Sequence, residues 1–140
     1  MTHEARCCDI RTLLVMDVVE HNRQLVRQLV EIVNARELDR INEVASGPVA
    51  KAAAGWIGPF AHSFPDFRME VVDVIAEEDK VVGWFKCSGT HEHEWRGKAP
   101  THKRFERIDE IYVFTVENGK LHAPLVALED NLARMQQLED

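Results

Sequence analysis

The chain has 140 residues and a formal charge of −7 at pH 7, and this length allows one domain with its own core. Its hydrophobic fraction of 45% and charged fraction of 29% are those of an ordinary globular protein. A nucleic-acid or anionic-membrane partner needs a basic protein face, which this charge disfavours. We therefore expect neither nucleic acid nor membrane as a partner.

The amino-terminal part of the chain contains two of the three cysteines. Cys7 and Cys8 are adjacent and Cys87 stands alone, which does not suit a disulfide framework and predicts a reducing cytoplasm. The apolar run over 10–19 is interrupted by charged residues and is too short to span a membrane. Met16 is an alternative start, so residues 1–16 are predicted to be an extension and 17–140 the domain. A genuine extra helical turn before Asp17 is the alternative.

Helical patterns dominate the first half. Asp17 followed by Glu20 resembles a capping box and predicts a helix start. Apolar residues then recur with helical spacing at Leu25, Leu29, Ile32 and Val33. The pattern indicates an end near Asn34, a short second helix over 37–44 and a third over 49–64.

Strand patterns follow from Phe67. Alternating residues shift phase at Val71 and Val72, as a bulge would cause. The later predicted elements are a strand over 81–95, a loop over 97–101, a strand over 105–116, an Asn118-Gly119 hairpin turn, a strand over 121–128 and a helix from Asp130 to Leu138. Helices followed by antiparallel strands predict an α+β fold, in which the helices cover one face of the sheet.

A series of short segments has a familiar order. They are Phe64-Pro65-Asp66 continuing to 71, Gly89-Thr90-His91, Val116-Glu117-Asn118-Gly119-Lys120, and the ranges 34–39, 75–77, 100–101 and 130–138. Together they resemble the SnoaL-like polyketide cyclase group of the nuclear transport factor 2-like superfamily. The resemblance covers nearly the whole chain from about residue 20.

The resemblance implies a curved antiparallel sheet wrapped around the N-terminal helices in a cone, a cystatin-like α+β barrel with one apolar pocket. It also implies a homodimer packed through the sheet. Cyclases of this group close a ring on an aromatic polyketide by an intramolecular aldol reaction, with no metal or cofactor. An Asp serves as acid and base, and a His on the neighbouring strand assists. We therefore expect an apolar or aromatic small molecule as ligand, with no cofactor.

The positions that carry this chemistry are substituted here. The cyclase Asp position falls on Ala127 when counted back from Asp130, and on Val126 when counted forward from Gly119. Neither side chain can move a proton. The partner His position is Tyr112, so the usual aldol mechanism does not transfer directly to this chain.

Glu110 and Tyr112 are the candidate replacements, because residues two apart on a strand share a face. A desolvated Glu110 would have a raised pKa and could accept a proton, while Tyr112 could donate to an oxyanion. The alternative is structural: Tyr112 is a core aromatic and Glu110 pairs with Arg104 or Arg107.

Asp109 and Arg107 share the opposite strand face. In the same superfamily, limonene epoxide hydrolases use an Asp–Arg–Asp arrangement around a water. Here the second Asp would have to come from the last strand, which offers none before Asp130. An epoxide-hydrolase-like enzyme is therefore the less favoured alternative.

Three histidines lie within twelve residues. His91 and His93 share a strand face, whereas His102 lies beyond a loop. A catalytic zinc site needs three protein ligands, so we expect no metal here. His91 matches the Gly-Thr-His of the group and is expected at the pocket mouth as a catalytic helper, with His93 as a substrate contact.

The remaining pocket candidates are mainly aromatic. We expect Trp56, Phe60, Phe64, Phe85, Trp95 and Ala127 to contact the ligand, although Trp residues are also common in cores and interfaces. Two functions are favoured: a cofactor-free cyclase or isomerase acting on a carbonyl substrate, or a dimeric protein that binds an apolar molecule without changing it. A third, implied by the versatility of the superfamily, is an interaction protein that uses the exposed sheet. The sequence does not choose among them.

Overall fold

A computed structural model describes residues 10–139 of the protein. Its elements are α1 (Ile10–Asn34), a 3-10 helix (Leu38–Glu43), α2 (Gly47–Ala52), a π-helical turn (Ala53–Ile57), α3 (Gly58–Ser63), β1 (Arg68–Glu77), β2 (Lys80–Thr90), β3 (Arg104–Glu117), β4 (Lys120–Glu129) and α4 (Asn131–Leu138). The predicted order of helices before strands, with a final helix, is confirmed.

Helix α1 is longer than the pattern predicted. It runs without a break through Asp17, so the capping-box interpretation is wrong. Residues 10–16 contain neither Gly nor Pro, and nothing in their sequence ends a helix there. The predicted end at Asn34 is confirmed. The predicted extension 1–16 lies partly outside the described residues, and its boundary stays a prediction.

The end of α1 is fastened to the sheet. The Asn34 amide donates to the Met69 carbonyl at 2.9 Å and accepts from the Met69 N–H at 2.9 Å. These two bonds satisfy the backbone of β1 where it begins. Among the described helices, including α1, none is long and apolar enough to cross a membrane.

The helical stretch over 47–63 contains a π turn for an identifiable reason. Pro59 has no N–H, and its ring would clash with the carbonyl of Gly55, four residues earlier, in a regular α-helix. The backbone widens over Ala53–Ile57, just before this proline. The wider turn carries Trp56 and Ile57 into the wall of the cavity described below.

The sheet is antiparallel in the order β1-β2-β3-β4, curved and not closed. The predicted bulge appears as a register shift between Val71 and Asp73. The predicted hairpin turn is also present, with φ of 52° at Asn118 and 75° at Gly119. Local sequence signals therefore located both irregularities correctly.

Strand β2 ends at Thr90, so the predicted continuation of this strand to residue 95 is wrong. The N–H groups of Glu92 and His93 both donate to the carbonyl of Ser63, at 2.9 and 3.3 Å. Because helix α3 takes these donors, they are not available to a neighbouring strand. Residues 91–103 form a loop that returns the chain to β3.

The core lies between the concave face of the sheet and the helices. Its large apolar members that are at most 2% exposed include Phe64, Phe85, Phe105, Ile108, Leu121 and Leu138. Full burial of one such side chain stabilises a fold by roughly 1.5–3 kcal/mol. At the end of β4, the Asp130 carboxylate accepts from the Ala133 N–H at 3.0 Å and caps α4, as predicted.

Candidate functional site

A cavity of about 240 Å³ opens between the helices and the concave sheet face. Its lining comes from five parts of the chain: Leu29 and Val33; Val49, Ala52, Ala53, Trp56 and Ile57; Phe67 and Met69; Tyr112 and Phe114; Ala127 and Glu129. All but Tyr112 and Glu129 have apolar side chains, or in the case of Trp56 a mainly apolar one. The cavity therefore offers an apolar space with a phenol and a carboxyl in its β3–β4 wall.

The strand register places the substituted cyclase position. Ala127 lies opposite Tyr112 in the β3–β4 pairing and lines the cavity. Val126 lies opposite Val113 and is 42% exposed on the other face of the sheet. Register shifts on either side of the 114–115 pairs each add a residue to β4, so a count forward from the hairpin turn does not keep the register. Of the two alternatives, Ala127 has the pocket position.

Tyr112 and Glu110 are brought together, but only Tyr112 lines the cavity. The Tyr112 hydroxyl donates to Glu110 Oε1 at 2.5 Å, and the Glu110 side chain is fully buried behind it. Burial, reinforced by the charge of Glu110, raises the pKa of Tyr112 well above its ordinary value. Tyr112 is therefore a neutral hydrogen-bond donor throughout the physiological range.

Glu110 pairs with Arg134 of α4, not with Arg104 or Arg107 as considered above. The Arg134 side chain is fully buried, and its guanidinium lies 5.1 Å from the Phe60 ring centroid and 4.6 Å from that of Phe105. These cation–π contacts replace water around a buried charge. Sequence reasoning missed Arg134 because 24 residues separate it from Glu110 and no local pattern links them.

Arg134 also approaches a second carboxylate. Its Nη1 lies 3.4 Å from Glu129 Oε1 and also donates to Asn131 Oδ1. One guanidinium thus serves two glutamates, while Tyr112 completes the cluster on the cavity side. With both glutamates ionised, the three charged groups carry a net charge of −1.

Glu129 is the functional candidate that sequence reasoning missed. It lines the cavity, and its side chain is 16% exposed. Burial and then the nearby charge of Glu110 raise its pKa above the ordinary value of 4.5. Strand alternation could have found it, because residues two apart on β4 share a face and Ala127 was already assigned to the pocket.

His91 is not among the residues that line the cavity. The imidazole is fully buried, stacks on Phe64 at 5.3 Å and accepts from the Thr101 N–H at 3.2 Å. Burial lowers the pKa of His91. The contacts of His91 with Phe64 and Thr101 hold the start of the 91–103 loop against the core.

The other histidines occupy separate places on the same loop. His93 is exposed and stacks on His62 at 4.3 Å, and His102 approaches Glu92 at 3.2 Å. Within residues 10–139, no group of three or more His, Cys, Asp or Glu side chains is arranged to hold a metal ion.

The predicted aromatic contacts are divided between the cavity and the core. Trp56 lines the cavity and stacks on Phe60, which is buried behind it, at 5.8 Å. Phe64 and Phe85 are fully buried outside the lining, and Trp95 meets Phe64 edge-on at 5.5 Å from the 91–103 loop. Of the predicted site residues, the structure brings Trp56, Tyr112 and Ala127 together at the cavity.

Asp109 lies on the outer face of the sheet. Its carboxylate accepts from Trp84 Nε1 at 2.8 Å and pairs with Lys86 at 2.8 Å. Arg107, with a φ of 56°, lies in an irregular segment of β3. The Asp109–Arg107 arrangement considered for an epoxide hydrolase is therefore remote from the cavity.

Solved structures with the same fold are similar over most of their length. TsrD from Streptomyces laurentii has a TM-score of 0.76 at 19% identity, with 85% of this chain and 95% of that chain covered. IdmH from Streptomyces antibioticus has a TM-score of 0.68 at 21% identity, covering 84% and 97%. A SnoaL-like polyketide cyclase from Agrobacterium tumefaciens has a TM-score of 0.70 at 12% identity, covering 84% and 98%.

At these low identities the structural similarity shows the fold alone, and no curated protein matches the chain. The family model of the SnoaL-like polyketide cyclases matches residues 23–138, which include every residue that lines the cavity. The chain belongs to the SnoaL-like polyketide cyclase family.

Proposed function

We propose that the protein binds an apolar or aromatic small molecule and catalyses a cyclase- or isomerase-type reaction at a carbonyl, without a cofactor. The observation that carries this proposal is the apolar cavity with a phenol and a carboxyl in one wall. The apolar lining favours burial of the ligand body, and the two polar groups fix its orientation.

Tyr112 is the proposed electrophilic group. Its raised pKa keeps the hydroxyl protonated, and rotation about the C–O bond turns the hydrogen from Glu110 toward a developing enolate oxygen. Glu110 is then a positioning residue, because it holds the phenol at the wall when the cavity is empty. Proton transfer also needs a carboxylate in reach of the substrate carbon.

The first experiment measures turnover of a panel of β-keto aromatic polyketide esters by mass spectrometry. Protein stripped of metal with EDTA is compared with Tyr112→Phe and with Glu77→Gln, an exposed carboxylate of β1 that serves as the control. We expect turnover by the unmodified protein and the control and a loss of about 100-fold in Tyr112→Phe. Ligand binding without turnover would instead support the non-catalytic binder.

A second candidate is hydrolysis of an epoxide, and one observation favours it. Glu110, Arg134 and Glu129 form a carboxylate–guanidinium–carboxylate arrangement in which Glu129 lines the cavity, although it does not use Asp109. A carboxylate there could activate a water against an epoxide carbon. Diol formation from apolar epoxides, measured beside the keto-ester panel, distinguishes the two chemistries.

We also propose a homodimer through the outer face of the sheet. Trp84, Ile111 and Leu128 form one row across three strands, and Leu128 and Trp84 are 58% and 39% exposed. Val126 and Ile75 extend this exposed apolar area. Adjacent exposed apolar side chains on a sheet favour association.

Residence in the cytoplasm stays a prediction from cysteine usage.

A further inference from the structure

We propose that Glu129, and not Glu110, is the residue that exchanges a proton with the substrate. This inference rests on the proposed carbonyl chemistry and assigns its acid and base. It also restricts the substrate to neutral molecules at the Glu129 side of the cavity.

Access separates the two glutamates. A general base must approach within about 3 Å of the proton that it removes. The Glu129 side chain is 16% exposed and lines the cavity, whereas Glu110 is fully buried and is not part of the lining. Both oxygens of the Glu110 carboxylate already have a partner, because Tyr112 donates to Oε1 and Arg134 donates to Oε2. A substrate in the cavity therefore meets Glu129 first.

Arg134 also pairs more closely with Glu110 than with Glu129. Arg134 Nη2 binds Glu110 closely, whereas Nη1 is shared between Asn131 and Glu129 and lies 3.4 Å from the Glu129 carboxylate. That distance is long for a charge-assisted hydrogen bond, which is usually 2.7–2.9 Å. Within residues 10–139 no other hydrogen bond reaches the Glu129 carboxylate. Its negative charge is thus only weakly compensated.

The surroundings favour the protonated form of Glu129. Burial raises its pKa first, and the negative charge of Glu110 raises it further. Arg134 opposes this from α4, as does the more distant Arg96 from the 91–103 loop. The neutral phenol of Tyr112 and the buried thiol of Cys87, whose pKa is also raised, add no charge. A raised pKa makes a carboxylate a stronger base, which suits Glu129 to take a proton and to return it.

The proposed reaction step is balanced without an added reagent. The Glu129 carboxylate takes a proton from the carbon next to a carbonyl, and the electrons of the C–H bond form the enolate. Tyr112 stabilises the enolate oxygen by a hydrogen bond. The enolate carbon then attacks a second carbonyl carbon of the same molecule, forming a C–C bond. The new alkoxide recovers the proton from Glu129, so the product is an isomer of the substrate.

The charge of the cluster indicates which substrates fit. When Glu129 is in the carboxylate form that takes the proton, the two glutamates outnumber Arg134, so a substrate carboxylate placed beside them would be repelled. A neutral ester or ketone would not be repelled. The volume of about 240 Å³ lies below the 300–1,000 Å³ of typical drug-sized pockets. We infer a compact neutral ester or ketone, with its reactive carbon toward β4 and its apolar body toward Trp56.

The kinetic test compares Glu129→Gln with the unmodified protein and Glu77→Gln. We expect kcat on β-keto aromatic esters to fall at least 100-fold in Glu129→Gln, with KM changed less than threefold. The acidic limb of the pH–kcat profile should disappear with the glutamate. The matching free acids should be turned over at least tenfold more slowly than the esters by the unmodified protein.

A spectroscopic readout does not depend on turnover. In protein labelled with [13Cδ]glutamate, one side-chain carboxyl signal should titrate above the others, and it should be missing from Glu129→Gln. A Glu129 signal that titrates in the ordinary range, or turnover retained in Glu129→Gln, would overturn the assignment while leaving the enzyme proposal intact. No turnover by the unmodified protein on any ester or ketone would overturn the proposed function, and the assignment with it.

Discussion

The hydroxyl of Tyr112 donates to the carboxylate of Glu110 at 2.5 Å, and this bond joins the wall of the cavity to a buried ion pair. Tyr112 occupies the position that the family resemblance gives to a catalytic histidine. Its oxygen is held by Glu110, which is held in turn by Arg134. The geometry of the cavity wall therefore depends on a charged cluster behind it.

Loss of the Tyr112 hydroxyl should affect stability as well as turnover. In Tyr112→Phe the Glu110 carboxylate keeps Arg134 but loses its second hydrogen bond. Leaving a buried charged acceptor less satisfied costs about 1–3 kcal/mol. Urea unfolding should show this decrease in the free energy of unfolding. An unchanged unfolding midpoint would mean that the bond contributes nothing measurable to the folded state.

Removal of the Arg134 charge should be more damaging. Arg134→Met leaves Glu110 buried without its cation and should lower the free energy of unfolding by about 3–5 kcal/mol. The double variant Glu110→Gln/Arg134→Met should recover part of that loss, because it removes both charges. A double-mutant cycle from urea denaturation measures the coupling. Additive effects would contradict a direct pair.

The raised pKa of Glu129 predicts a pH dependence of stability with a definite sign. Above its ordinary pKa of 4.5, the folded state binds more protons at this residue than the unfolded state. The stability that Glu129 contributes is full below that pH and is lost as pH rises through the folded-state pKa. The free energy of unfolding should therefore be measured at pH 4, 6 and 8. As pH increases, the value for the unmodified protein should decrease relative to that for Glu129→Gln.

Restoring a carboxylate at the substituted position tests the register. Ala127→Asp would place an acid opposite Tyr112 and two residues from Glu129 on the same strand face. We expect faster turnover of aromatic keto esters and lower stability, since a further negative charge joins the cluster. Leu132→Asp, an exposed leucine of α4 outside the sheet, is the matched control. Equal effects of both changes on turnover would argue against Ala127 as the pocket position.

The outer sheet face should determine the oligomeric state. Leu128→Glu or Trp84→Glu puts a charge in the exposed apolar row and should convert a dimer of about 32 kDa, twice the 16.0 kDa chain, into a monomer. Leu132→Glu is the control, since Leu132 is 70% exposed on α4 and lies outside the sheet. Light scattering after size-exclusion chromatography measures the mass. A monomeric unmodified protein would refute the proposed interface.

Features with short-range causes were predictable from the sequence. The Asn118-Gly119 turn, the bulge near Val71 and the Asp130 cap each follow from a few neighbouring residues. The end of β2 was not predictable in this way, because it depends on the Ser63 carbonyl of a distant helix. Sequence distance thus marks where pattern analysis of the fold fails.

The site shows the same division. Strand alternation and the family register placed Tyr112 and Ala127, and the structure puts both at the cavity. The partner of Glu110 is Arg134 of α4, and a strand pattern cannot predict a contact with a helix. Glu129 is two residues from Ala127 on β4, so strand alternation predicts that both face the cavity. An Asp–Arg–Asp pattern does not include Glu129, although a glutamate carries the same carboxyl group as an aspartate.

The π turn before Pro59 has a consequence for how this pocket could change over time. Trp56 and Ile57 reach the cavity because the proline prevents regular helical winding, yet Pro59 itself is not part of the lining. A single substitution of Pro59 would let the helix rewind and rotate both side chains relative to β3 and β4. The shape of the ligand space is therefore controlled at a position that a ligand never touches, and new specificities could arise there without altering the acid–base groups.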